Sequence, residues 1–174
     1  MEKIKKWEIY GAILSIISGS LLHFVFEWSG GLKVVALFGA VNESTWEHLK
    51  LAFWPTFVFS CIEYFVISKN VKNFCFATFI KLSSMPIIIV VMFYAWLALF
   101  PDNFIYDIST FIIAVVAGYM LSYKIMNISR NFSNNILYSA LIVILLAIFS
   151  LFTYYPPKSF LTKDPIGGGY GINK

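Results

Sequence analysis

Five apolar runs, each long enough to cross a bilayer and separated by short polar turns, constrain this chain more than anything else in it. They occupy residues 7–28, 44–67, 74–100, 108–126 and 136–155. A helix rises 1.5 Å per residue, so about 20 apolar residues cross a hydrocarbon core of about 30 Å. A backbone in hydrocarbon must satisfy its own hydrogen bonds, and each run is therefore read as a helix. Only 13% of the 174 residues are charged, against about 25% in an ordinary soluble domain. The expectation is one integral membrane domain over residues 1–174. It is an all-α bundle of five transmembrane helices, with a polar pocket at the extracytoplasmic side and a tail over residues 156–174.

The first run follows Lys3, Lys5 and Lys6, as a signal peptide would. It is longer than a signal h-region, and no Ala-x-Ala-type cleavage site follows it. It is read as a first span with Trp7 and Trp28 as interfacial anchors. Ser29-Gly30-Gly31 then forces a turn. Residues 32–41 are apolar but too few to span, and are expected as a half-helix or re-entrant turn at the interface. Pro55 and Pro86 fall inside the second and third runs, the former as an expected kink.

Orientation follows from the basic residues. Lys3, Lys5, Lys6, Lys69, Lys72, Lys124 and Arg130 all fall at the N-terminal end of an up-and-down bundle. By the positive-inside rule that end is cytoplasmic, and the C-terminus is outside a cell membrane. The same scattering between apolar runs argues against nucleic acid as a partner, despite a net charge of +4. The lipid bilayer is the expected partner. Cys61 and Cys75 have neither metal-type spacing nor a disulfide framework.

Against this apolar background one stretch stands out: Asn42-Glu43-Ser44-Thr45-Trp46-Glu47-His48-Leu49-Lys50. Ser44 with Glu47 three residues on has the form of a capping box, which marks a helix start. Charged groups at a membrane boundary are costly to desolvate, and such a cluster is a functional candidate. Asn42, Glu43, Ser44 and Lys50 are assigned to the polar pocket. On the first helix, His23 and Glu27 are four apart and share a face. Counting inward from Trp28 puts His23 about 7 Å deep, and counting from Ser44 puts His48 about 6 Å deep. The two histidines are thus expected at one level on neighbouring helices. Imidazole with carboxylate suits a divalent transition metal such as zinc. His23 and His48 are the candidate ligands, and Glu27 or Glu47 the candidate general base for a metal-bound water. The bland alternative is a hydrogen-bonded cluster that pins two helices.

A second polar pair is expected near the cytoplasmic side. Glu63 lies about 7 Å in along the second helix and Lys81 about 10 Å in along the third, so opposite charges meet at similar depth. Pinning of the helices or proton handling would both use such an ion pair. The Asn-x-Ser triplets at Asn42, Asn127 and Asn131 are not read as glycosylation sites: two fall on the cytoplasmic side and one caps a helix. Residues 167–171 are glycine-rich but lack the strand, helix and Lys-Ser/Thr of a phosphate loop. They are expected in a tail that folds over the outer mouth, with Asp164 and Tyr170 as contributors.

His23-Phe24-Val25-Phe26-Glu27-Trp28-Ser29, the run from Ala40 to Lys50, and an ending with Tyr154-Tyr155-Pro156-Pro157, Asp164-Pro165 and Tyr170-Gly171-Ile172 resemble a family of small, uncharacterised bacterial integral membrane proteins. The resemblance covers nearly the whole chain and implies a five-helix membrane protein. No activity is carried over with it. Three function classes stay open. One is a metal-assisted membrane-embedded enzyme or ligand-binding protein, acting on a lipid or a small polar molecule at the outer face. Another is a small transporter or transporter subunit. The third is a structural or assembly partner.

Overall fold

The computed structural model describes residues 2–132 and 134–172. Ser133, which completes the Asn131 triplet, and residues 173–174 of the expected tail lie outside the described residues. The fold is all-helical: α1 (Glu2–Trp28), α2 (Thr45–Ile67), α3 (Phe74–Leu97), α4 (Phe104–Met126) and α5 (Asn135–Tyr154). All five are long and apolar enough to cross a membrane. Two short 3-10 turns, Val35–Leu37 and Ser68–Asn70, lie in the connections.

The helix ends follow local chemistry. α1 starts at Glu2, earlier than its apolar run, because Lys and Glu are good helix formers and extend the first turns. α4 starts at Phe104, four residues before its expected start. The Asn103 side chain accepts from the backbone N–H of both Ile105 and Tyr106 and caps the helix there. α3 stops at Leu97, where the carbonyls of Tyr94 and Trp96 are taken up by the turn through Phe100 and the Trp96 indole donates to the Pro101 carbonyl. Residues 32–41 make only the single 3-10 turn.

α1, α2, α3 and α4 pack in a closed ring, each against the next, and α5 docks on α3. α2 is the central element: 56% of its most apolar window is buried, against 11% for α5. Phe149 of α5 reaches the core between α3 and α2, stacking on Phe53 with ring centroids 4.2 Å apart. Small residues set the closest approaches. A Cβ added at Gly19 of α1 would sit 2.4 Å from the Leu51 carbonyl oxygen, and one at Gly118 of α4 would sit 2.5 Å from Met85. Close backbone approach of this kind is how helices associate where lipid removes the hydrophobic drive between them.

The outer faces are apolar. Ile13, Ile17, Phe65, Ile87, Val91, Met120, Ile136 and Val143 are all more than half exposed. That much apolar surface, spread over all five helices, is far more than an aqueous monomer shows. The architecture is compatible with a multi-pass membrane protein.

Candidate functional site

The stretch from Asn42 to Lys50 is where three parts of the chain are tied together. Asn42 sits at a tight turn: its Oδ1 accepts from the Ser44 N–H at 2.9 Å, and its Nδ2 donates to the Gly171 carbonyl at 2.9 Å. Ser44 caps α2, its hydroxyl accepting from the Glu47 N–H at 3.4 Å. The reciprocal half of the expected capping box does not form. Glu47 instead accepts from the Val41 N–H at 3.1 Å and pairs with Lys50 at 2.6 Å, both side chains almost fully buried. Lys50 also donates to the Ala36 carbonyl at 2.7 Å and to Thr153 Oγ1 of α5 at 3.0 Å. Its three ammonium protons are thereby used, and the loop, α2 and α5 are joined. The tail crosses this region: the Trp46 N–H donates to the Leu161 carbonyl, and the Tyr94 hydroxyl to that of Phe160.

On the other side of α2 the geometry is different. His23 of α1, Glu43 of the loop and His48 of α2 each offer one ligand atom, and these lie within 4.8 Å of one another. Glu43 stands between the rings, 3.4 Å from His48 Nε2 and 3.9 Å from His23 Nε2. The two imidazole centroids are 5.2 Å apart. The group is part exposed, with Glu43 44% accessible and the histidines 29% and 37%. His48 Nδ1 is 3.0 Å from the Ser44 carbonyl. A carbonyl only accepts, so Nδ1 carries a proton, and Nε2 is the nitrogen that faces Glu43: it donates to the carboxylate when the ring is protonated and offers it a lone pair when the ring is neutral. The hydrogen bond with His48 holds the Glu43 carboxyl below its ordinary 4.5. Partial burial opposes this, and the charge of both imidazoles adds to it. Glu43 is therefore a carboxylate at neutral pH.

The expected pocket is thus divided. His23, His48 and Glu43 come together, whereas Glu27 and Glu47 do not join them. Glu27 is exposed. At about 100° per residue, Glu8, Gly11, Ser15 and Gly19 fall on one inward stripe of α1. His23 lies at its edge, and Glu27 is turned about 100° away from Glu8. Glu47 is held by Lys50. Asp164 is used within its own turn, accepting from the Ile166 N–H at 3.0 Å. Tyr170 forms an isolated bridge with Lys163.

At the opposite end, Lys81 Nζ lies 2.9 Å from Glu63 Oε2. A third member is Glu8 of α1, 3.5 Å from the same ammonium, with its Oε1 also accepting from Ser122 of α4 at 2.8 Å. Sequence reasoning missed Glu8. The signal was present: a carboxylate heading a stripe of small residues at helical spacing marks an inward face. Beyond it, Lys81 lies over the Tyr119 ring, whose hydroxyl bonds Ser15, and Ser15 bonds Thr56. A cavity of about 650 Å³ opens at this same end, lined by Tyr64, Lys69, Lys72, Cys75 and Ser139 among others.

No curated protein and no solved structure matches the chain. A family model does, over residues 1–172. This five-helix protein, with its histidine–glutamate group at one end and its buried lysine–glutamate group at the other, belongs to the family of unknown function DUF6512.

Proposed function

We propose that the protein is a multi-pass membrane protein that binds a divalent transition metal, zinc being the best chemical fit, through His23, Glu43 and His48. The carrying observation is that His23, Glu43 and His48 each bring one ligand atom to within 4.8 Å of the others. With Nδ1 donating to the Ser44 carbonyl, Nε2 is the His48 nitrogen that stands 3.4 Å from the Glu43 carboxylate. A metal cation between them would take the place that a proton on Nε2 holds in the bare histidine–glutamate pair. A histidine that donates its second ring nitrogen to a backbone carbonyl is the usual arrangement around a bound metal.

The spacing supports this reading. Bonds of about 2.1 Å at tetrahedral angles put neighbouring ligand atoms about 3.4 Å apart. The His48–Glu43 distance already has that value, and the three ligand atoms, within 4.8 Å of one another, would draw together around a bound ion. Two His and one Glu make three protein ligands, which leaves a fourth position for water or substrate, as in catalytic rather than structural zinc sites. A metal held there would lower the pKa of a bound water and polarise a bound oxygen.

The distribution of basic residues supports a reading in which this end lies outside the cell membrane and the N-terminus in the cytoplasm. The substrate is then a lipid reaching the site laterally or a small polar molecule from outside. Metal analysis of the full chain, purified in detergent and dialysed after zinc loading, tests the reading. About one metal per chain is expected, and His23→Ala, His48→Ala and Glu43→Gln should each remove most of it. Wild-type protein without stoichiometric metal would overturn the proposal.

A further inference from the structure

We propose that Glu8, Glu63 and Lys81 form a buried proton-binding site, in which Glu8 holds one exchangeable proton beside the Lys81–Glu63 pair. This inference does not depend on the metal site, which lies at the other end of the bundle.

The argument begins with charge parity. Lys81 and Glu63 are 0% exposed and Glu8 is 3% exposed. Among the described residues, the ionisable side chains meeting at this point are the Lys81 ammonium and the Glu8 and Glu63 carboxyls. The polar groups linked to it are neutral: Ser122 of α4, which bonds Glu8, Tyr119 of α4 against the Lys81 ammonium, and Ser15 of α1 and Thr56 of α2 beyond it. Fully ionised, the assembly carries one uncompensated negative charge in a dry interior, which is strongly disfavoured. One proton makes it neutral.

The hydrogen bonding leaves a place for that proton. Glu8 Oε2 and Glu63 Oε1 are buried and have no hydrogen-bond partner among the described residues. An ionised carboxylate only accepts, whereas a protonated one carries an O–H donor. Lys81 stands closer to Glu63 than to Glu8, 2.9 Å against 3.5 Å. The ion pair therefore belongs to Glu63 and the proton to Glu8. The Ser122 hydroxyl donates to Glu8 Oε1, which leaves Oε2 for the proton.

Release breaks the O–H bond of Glu8, leaves the electron pair on Oε2, and passes the proton to water at the α1 N-terminus, about 9 Å away along the helix. Lys81 is then shared between two carboxylates on different helices. Proton binding thus changes how α1 is held against α2 and α3, which is the local requirement for a proton-driven change in packing.

Infrared spectroscopy of the full chain in lipid discs reads the proton directly, as the carbonyl stretch of a protonated carboxylic acid. Wild type at neutral pH should show one such band that shifts in deuterated water. Glu8→Gln and Glu63→Gln should each abolish it, because either leaves a single carboxylate neutralised by Lys81. Lys81→Met should double it. Should that variant fail to fold, the two glutamine variants decide the matter. If their spectra superimpose on wild type in this region, the triad carries no proton and the proposal is wrong. Glu8→Gln is the isostere of the protonated acid, and its failure to fold would also count against the idea.

Discussion

His48 Nδ1 is hydrogen-bonded at 3.0 Å to the carbonyl of Ser44, the residue that caps its own helix. One residue therefore does two things. The Ser44 hydroxyl fixes where α2 begins, and its carbonyl fixes which nitrogen of His48 faces the site. The capping turn also throws Glu43 back between the two histidines. Helix start and ligand geometry are consequences of the same local fold.

Metal occupancy should therefore be sensitive to pH and indifferent to the cap hydroxyl. Metal ligands must be deprotonated, so occupancy is expected to fall as pH drops through the histidine range near roughly 6.5. Ser44→Ala removes the hydroxyl but keeps the carbonyl. It should cost about 1 kcal/mol of stability and leave zinc bound. Equilibrium dialysis against a pH series, with thermal melting of the variant, measures both. Occupancy that is flat down to acidic pH would rule out imidazole ligands.

Much of this was legible in the sequence, for identifiable reasons. The five helices follow from run length, and the level of His23 and His48 follows from rise per residue. The Lys81–Glu63 proximity follows from depth on neighbouring helices. Angular position was read less well. His48 and Lys50 are two residues apart, about 200° around a helix, and so face opposite ways. Lys50 and Glu47, three apart, share a face and pair. Glu43 was beyond such arithmetic, because it precedes the helix and its place depends on the turn made by Asn42.

The Lys50–Glu47 pair gives a second expected outcome. Both side chains are buried, so Lys50→Met strands a carboxylate and should destabilise by about 3–5 kcal/mol. Combining it with Glu47→Gln removes the stranded charge and should recover a substantial part of that loss. Thermal unfolding of the three variants in detergent checks this; strictly additive losses would show that the two charges are independent.

Gly19 should tolerate no side chain. Its Cβ position is 2.4 Å from a backbone oxygen of α2, which cannot swing aside as a side chain does. Gly19→Val forces α1 and α2 apart and is expected to cost about 1–3 kcal/mol by overpacking. The same change at Gly30, where nothing lies within 4 Å, acts instead through its positive φ of 69° and should leave the α1–α2 distance unchanged. Cross-linking of cysteine pairs across the α1–α2 interface separates the two effects.

The topology carries the location of both polar groups and is open to direct measurement. Lys3, Lys5, Lys6, Lys69, Lys72, Lys124 and Arg130 gather at the end where α1 begins, while the connection through Asp102 and Asn103 has no basic residue. Short basic loops are retained in the cytoplasm. Reporter fusions after Lys72 and after Asn103 should therefore give opposite signals, Lys72 cytoplasmic and Asn103 outside. That outcome puts the His23–Glu43–His48 group on the outer face and the Glu8–Glu63–Lys81 group about two helical turns in from the cytoplasm. A reversed result would exchange the compartments that supply metal and proton, and equal signals would break the up-and-down order on which the shared level of His23 and His48 depends.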